Sequence, residues 1–172
     1  FRPRHSPETA IIHLIDEIAT MRDQGKTVLV ASLDLAGAFD TLDHERLIQK
    51  LEKRCGFSGD VLDFFKSYLQ GRKQRVRKSG GETSAWIENP WGVPQGSVLG
   101  PLLFVLFCED IAENINGVKI VQFADDVTLV ASDENLNEAI RKMNVAMSQF
   151  EKYAGENWLA AEPSKTQIMM CT

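Results

Sequence analysis

The stretch Thr27 to Asp34 (TVLVASLD) is apolar and β-branched almost throughout and ends on a carboxylate. A strand with one wet face alternates apolar and polar residues. A run this uniform belongs to a strand covered on both sides, inside a layered α/β domain. Such a strand delivers Asp34 to its tip.

The rest of the chain supplies elements to cover it. Ser6-Pro7 reads as a helix cap with Pro at the first helical position, and Ile11, Ile12, Ile15, Ile18 and Ala19 follow at helical spacing until Gly25. Asp43 caps a helix to about Arg54. Ser58 caps another, carrying Val61, Leu62, Phe64, Phe65, Tyr68 and Leu69 up to Gly71. Arg72 to Lys78 and Thr83 to Glu88 flank Gly80-Gly81 as a hairpin would. After the Pro/Gly loop Gly92 to Gly96, a very apolar helix is predicted from about Ser97 to Asn114, as the buried centre of the fold. Val118 to Ala131 reads as a hairpin with Asp125-Asp126 at its bend. Asn135 to Tyr153 is amphipathic through Leu136, Ile140, Met143, Met147 and Phe150, and Lys165 to Cys171 forms a closing strand. With no internal repeat, low-complexity tract or linker, the pattern is that of one continuous α/β domain.

Composition narrows the function. At 44% hydrophobic and 25% charged residues the chain is an ordinary globular one, which excludes collagen-like, disordered and disulfide-scaffold classes. Nineteen Lys and Arg against twenty-four Asp and Glu leave a net charge of −5, without the basic excess of a small nucleic-acid module. Any nucleic acid has to be held through a local patch or a bound cation. The longest strongly apolar stretch, Val98 to Cys108, is interrupted by Gly100 and Pro101 and falls short of the ~20 residues of a membrane span. Cys55, Cys108 and Cys171 are odd in number and scattered, which suits a reducing compartment and no zinc spacing. The opening at Phe1 and the lack of a leader read as those of a piece of something longer.

Asp34, Asp125 and Asp126 each lie at the end of, or between, apolar strand-like runs, and converge if those strands are sheet neighbours. Three like charges repel, and a bound cation is the simplest remedy. Few, hard oxygen ligands favour Mg²⁺, and two such ions ~3.5–4 Å apart support in-line displacement at phosphorus. Residue chemistry alone leaves the alternative open: Asp-Asp as a solvated turn and Asp34 as a strand end.

Four ordered blocks bear on that choice: SLDLAGAFDTLDH (Ser32 to His44), GVPQGSVLGPLLF (Gly92 to Phe104), FADDVTL (Phe123 to Leu129) and PSKT (Pro163 to Thr166). Together with FRPRHSPETA at the start and RKQRV (Arg72 to Val76), they resemble the reverse transcriptase family, most closely its LINE-type, non-LTR branch. The resemblance covers nearly the whole chain. It implies a polymerase palm, an antiparallel sheet with packed helices, plus part of the fingers, with the thumb absent. Residues 1–26 would be a fingers-to-palm helix and 27–172 the palm, with a fingers-side insertion near 55–92.

By the same resemblance Asp34 and Asp125 would ligate two Mg²⁺ ions, Mn²⁺ being able to substitute, with Asp126 completing the cluster. Leu35, Ala36, Gly37, Ala38 and Phe39, with Pro94, Gln95 and Gly96, would meet the incoming deoxynucleotide. Phe39 would exclude a ribose 2′-hydroxyl; without the motif it is simply a core Phe. Lys165 would protonate departing pyrophosphate or neutralise its charge. Arg72, Lys73, Arg75, Arg77 and Lys78 would grip template or primer phosphates, although a basic run also describes a solvated edge strand. Gly37 stands where Lys is frequent in the family, and Ala160-Ala161-Glu162 where Leu-x-Leu-Asn is typical.

The partners implied are an RNA template, a DNA primer, deoxynucleotides and flanking regions of the same element such as a thumb or endonuclease, without a membrane. The setting would be intracellular, in nucleus and cytoplasmic ribonucleoprotein. A group II intron or diversity-generating reverse transcriptase, and a non-catalytic RNA-binding remnant of an inactivated element, are the competing readings.

Overall fold

A computed structural model describes residues 6–171, so the FRPRH portion of the opening block lies outside the described residues. In chain order the elements are α1 (Pro7–Asp23), β1 (Thr27–Leu33), β2 (Leu35–Ala36), α2 (His44–Lys53), α3 (Gly59–Leu69), β3 (Lys73–Gln74), β4 (Ile87–Glu88), α4 (Leu99–Phe107), α5 (Ile111–Asn114), β5 (Lys119–Phe123), β6 (Asp126–Asp133), α6 (Leu136–Glu156), β7 (Ala160–Ala161) and β8 (Gln167–Cys171). The described residues fall into two compact units, 6–37 with 108–171, and Ala38–Phe107.

The first unit is built on a four-stranded sheet in the order β5-β6-β1-β8, every neighbouring pair antiparallel. β1 is central, which explains its uniform apolarity: Val28, Leu29, Val30, Ala31 and Leu33 are all buried. Val28 and Val30 of β1 and Val130 of β6 share one face and pack against Leu14, Ile18 and Met21 of α1. The half-buried stripe of α1 therefore runs through these three residues; of the residues predicted from spacing, Ile18 lies on it, while Ile11, Ile12 and Ile15 are more than half exposed and Ala19 is exposed as well. Helical periodicity identifies a stripe but not which of two adjacent stripes meets the sheet.

α6 packs against β1 and β6 and buries Ala139, Met143, Ala146 and Phe150. Met143 and Phe150 are the residues of this core face predicted from spacing, whereas Leu136 and Ile140, predicted there too, are about 40% exposed. Ala139 and Ala146 complete the buried face. Lys142 fastens this face by donating to Asp133 at 2.8 Å.

The single helix expected over Ser97 to Asn114 is two, α4 and α5, separated by a turn at 108–110. The polar pair Glu109-Asp110 ends the apolar run, and Asp110 is engaged elsewhere, its Oδ1 accepting from the Tyr153 hydroxyl at 2.5 Å. Buried positions are concentrated at Leu103, Phe104 and Phe107 of α4, whereas Val98 before it is 93% exposed.

In the second unit α2 packs on α3 and α4. Asp43 caps α2 by accepting from the Arg46 amide at 2.8 Å, and Leu47 and Leu51 are its inner stripe. The inner stripe of α3 is Leu62, Phe65 and Leu69. The hairpin between Arg72 and Glu88 is present but sparsely paired: Lys73↔Glu88 and Gln74↔Ile87, then an isolated bridge Arg77↔Thr83. No described helix is long and apolar enough to cross a membrane.

Candidate active site

The two strands that carry the aspartates are hydrogen-bonded neighbours. Their register ends at Leu33↔Val127, so the next step sets Asp34 across from Asp126. The hairpin β5-β6 closes at Phe123↔Asp126, leaving Ala124 and Asp125 as its two-residue bend. Ala124 has a φ of +53°, a left-handed conformation costing an L residue roughly 1–2 kcal/mol. A two-residue bend with positive φ at its first position suits the twist of the flanking strands. Asp125 is half-buried in that bend, and Asp126 opens β6.

Like charge marks the convergence. The Asp126 carboxyl is held above the ordinary aspartate value of 3.8, first by partial desolvation, then by the charges of Asp125 and Asp34. The opposing charge is Lys165. Its Nζ donates to Asp34 Oδ2 at 2.8 Å, where the Asp34 side chain is 23% exposed and the lysine 65%. That hydrogen bond, then the Asp34 charge, with smaller contributions from Glu162 and Asp125, hold the ammonium above its ordinary 10.5.

Lys165 reaches this position because the segment before it is anchored. The alanines of β7 pair with β2 in the register Leu35↔Ala161 and Ala36↔Ala160, and the Glu162 amide donates to the Asp34 carbonyl at 2.9 Å. Glu162 then caps a single 3-10 turn, Pro163–Lys165. The departure at Ala160-Ala161-Glu162 thus keeps the strand that leads to Lys165, since backbone pairing needs no particular side chain.

Among the described residues, no three His, Cys, Asp or Glu side chains form a ready-made metal cluster. One Asp34 oxygen is instead held by Lys165. The donor chemistry nevertheless suits a hard divalent cation: three carboxylates lie at adjoining strand ends, and the charges of Asp125 and Asp34 add to partial desolvation in raising Asp126.

Leu35 is buried, and Gly37 follows β2 with a φ of +57°. In the second unit Ala38 is buried, Phe39 is half-buried with its ring 4.9 Å from that of Phe104, Pro94 is half-buried, and Gln95 and Gly96 are exposed. The backbone of residues 39–42 is stitched to the Pro/Gly loop. The Val93 amide donates to Phe39 O and the Gly92 amide to Leu42 O, each at 2.7 Å, while His44 Nε2 donates to Gly92 O at 2.6 Å. Gly92 is required for that approach. A Cβ there would lie 2.7 Å from Asp40 O and 2.8 Å from Phe39 O, and its φ is +74°.

Sequence reasoning did not single out Asp40, whose Oδ1 accepts from Gln95 Nε2 at 2.9 Å. A carboxylate can only accept, so it fixes which end of the amide faces it and leaves Gln95 Oε1 directed elsewhere. Its position immediately after Phe39 inside a recognised block was the available signal. The five hairpin cations Arg72, Lys73, Arg75, Arg77 and Lys78 are exposed in the same unit.

The carboxylate-bearing strand ends and the lysine all fall inside the blocks on which the family resemblance rests. The model of the reverse transcriptase (RNA-dependent DNA polymerase) family matches residues 1–171, and the chain belongs to that family. It is 33% identical over its whole length to a probable RNA-directed DNA polymerase from transposon X-element, and 30% identical over 96% of its length to that of transposon BS, both of Drosophila melanogaster. A type-1 retrotransposable element R2 polyprotein of Popillia japonica is 29% identical over 70% of the chain. These relatives are non-LTR retrotransposon proteins, the branch the blocks resemble. The chain spans about a fifth of their length, 19% of the first two and 22% of the third. In fold it is similar to apo telomerase of Candida tropicalis truncated from its C-terminal domain, with a TM-score of 0.69 and 14% identity over 97% of this chain and 35% of that one.

Proposed function

We propose that this chain is the palm, with part of the fingers, of an RNA-directed DNA polymerase that extends a DNA primer on an RNA template during retrotransposition. Residues 27–172 are the palm, with a fingers-side insertion near 55–92, and α1 leads into it. The observation that carries the reading is the register Leu33↔Val127, which sets Asp34 beside Asp126 at adjoining strand ends.

Asp34 and Asp125 are the ligands of two Mg²⁺ ions, with Asp126 completing the acidic cluster. When bound, the metal supplies activation of the primer 3′-hydroxyl and neutralisation of charge on the phosphates. Lys165, which donates to Asp34 at 2.8 Å, neutralises charge on the departing pyrophosphate or protonates it. In the second unit Phe39, braced by Phe104, acts against a ribose 2′-hydroxyl, and Gln95, oriented by Asp40, acts with Ala38, Pro94 and Gly96 on the incoming nucleotide. The family resemblance gives the same ligand to Leu35, Ala36 and Gly37 of the first unit. Arg72, Lys73, Arg75 and Arg77 meet nucleic-acid phosphates.

The test is primer extension on RNA by the full-length protein carrying this chain, with deoxynucleotides and Mg²⁺, with Mn²⁺ in its place, and with excess chelator. Extension that requires the divalent ion supports the reading. Retained RNA binding with no extension under any metal would make it a non-catalytic remnant.

A further inference from the structure

We propose that the β3-β4 hairpin is a stacking platform for unpaired RNA, with Trp86 as the side chain that receives a base and Arg75 and Arg77 as its phosphate contacts. The inference deepens the polymerase reading, since it names how the second unit would hold an RNA strand.

The pairing Lys73↔Glu88, Gln74↔Ile87 carried one step further sets Arg75 across from Trp86. The Arg75 guanidinium lies 4.5 Å from the centre of the Trp86 ring. One ring face is thus held by a cation while the side chain remains 58% exposed. The next arginine, Arg77, bridges to Thr83 in the same exposed hairpin, two residues further along the chain. Among the described residues neither arginine has a carboxylate within ion-pair distance, whereas Lys73 lies 3.9 Å from Glu88 and Lys78 3.4 Å from Glu82. At the base of the hairpin the pattern recurs, with Arg72 over the Tyr68 ring at 4.8 Å.

Trp86 is not exposed singly: Val76 and Ile87 of the same hairpin are 70% and 62% exposed, so an apolar face lies beside the cations. The charge around it selects the occupant. Five cations within seven consecutive residues of a chain with net charge −5 fit a polyanion. An aromatic face braced by a guanidinium fits a nucleobase, and only an unpaired strand offers its base faces; a duplex keeps them stacked inside. A base on the open side of Trp86 completes an Arg75–Trp86–base stack, with Arg77 placed for a neighbouring phosphate.

The experiment is fluorescence anisotropy of labelled oligo(U), and of a blunt RNA duplex, on the chain and its variants across a salt series. Trp86→Ala is expected to weaken oligo(U) binding about tenfold or more, with an unchanged salt slope and unchanged duplex binding. Trp86→Phe restores most of the affinity, and Arg77→Ala lowers the salt slope by about 1. Trp86 is exposed, and circular dichroism of each variant checks that the fold is kept. Wild-type affinity in Trp86→Ala, or equal losses on oligo(U) and duplex, would overturn the proposal and leave the surface to another class of partner. Asp125→Asn separates this from the catalytic reading: it should bind oligo(U) as wild type does while losing extension. A protein that extends primers normally yet ignores Trp86→Ala refutes the platform alone. One that never extends but loses oligo(U) binding in Trp86→Ala refutes the catalytic reading alone.

Discussion

The Lys165 ammonium donates a 2.8 Å hydrogen bond to Oδ2 of Asp34, joining the turn after β7 to the tip of β1 across 131 positions of sequence. The acidic strand ends therefore carry a positive charge built into the chain. Because Asp34 holds that ammonium above 10.5, it keeps its proton throughout the working range. Lys165→Ala should slow single-turnover nucleotide addition by about 10²-fold, and Lys165→Arg should recover to within about tenfold of wild type, with a flat rate profile from about pH 6 to 9. A general acid would instead show no rescue by arginine and a basic limb in the profile.

Asp125 sits in a two-residue bend whose geometry does not depend on its carboxylate. Asp125→Asn should leave the circular dichroism spectrum intact and reduce Mg²⁺-dependent primer extension by about 10³-fold or more, the loss expected when a charge-stabilising group is removed from phosphoryl transfer. Extension at wild-type rates by the folded variant rejects Asp125 as a metal ligand.

Asp126 carries the opposite sign of linkage from a salt-bridged aspartate. Its carboxyl is held above 3.8, so the folded chain binds that proton more tightly than the unfolded chain does. The resulting stability is fully present below about pH 3.8 and is lost as pH rises through the folded value. At neutral pH the charged group is a liability. Asp126→Asn should raise the urea midpoint at pH 7 in chelator, with the difference shrinking as pH approaches the ordinary aspartate range. Equal midpoints at pH 7 would contradict the proximity of the three carboxylates.

Phe39 is half-buried and braced by Phe104 at 4.9 Å, so it has both a packing side and a free side. Phe39→Val should lower discrimination against ribonucleotides, read as the ratio of kcat/KM for the two sugars, at a stability cost of about 1–3 kcal/mol. Lost stability with unchanged sugar discrimination would make the ring purely structural.

Gly92→Ala should destabilise the chain by about 2–4 kcal/mol, because the new methyl meets the Asp40 and Phe39 carbonyls and the backbone is left-handed there. Thermal unfolding measures it. A wild-type melting temperature would show that the 39–42 segment and the Pro/Gly loop are not stitched as described.

Sequence alone was enough for β1, α2, α3 and the β5-β6 hairpin, because each is written locally. β1 is uniformly apolar, α2 has Asp43 as its cap, and the hairpin has two apolar runs around a two-residue bend. The same local rules gave Ile18 of α1 and Met143 and Phe150 of α6 as inward residues, but also turned Ile11, Ile12, Ile15, Leu136 and Ile140 inward, where they are exposed, and ran α4 into α5. Which of two adjacent stripes is buried depends on the surface it meets, and the break at 108–110 involves Asp110 with Tyr153, 43 residues away. In the same way the sequence named Asp34, Asp125, Asp126 and Lys165 as residues of one block pattern. Only the tertiary structure decided that Asp34 faces Asp126 through strand register, that Lys165 holds Asp34, that Asp40 orients Gln95 and that Arg75 lies on Trp86. Chain-local propensities fix which elements form. The distances between side chains far apart along the chain are set by sheet register and helix packing, which no short window of sequence contains.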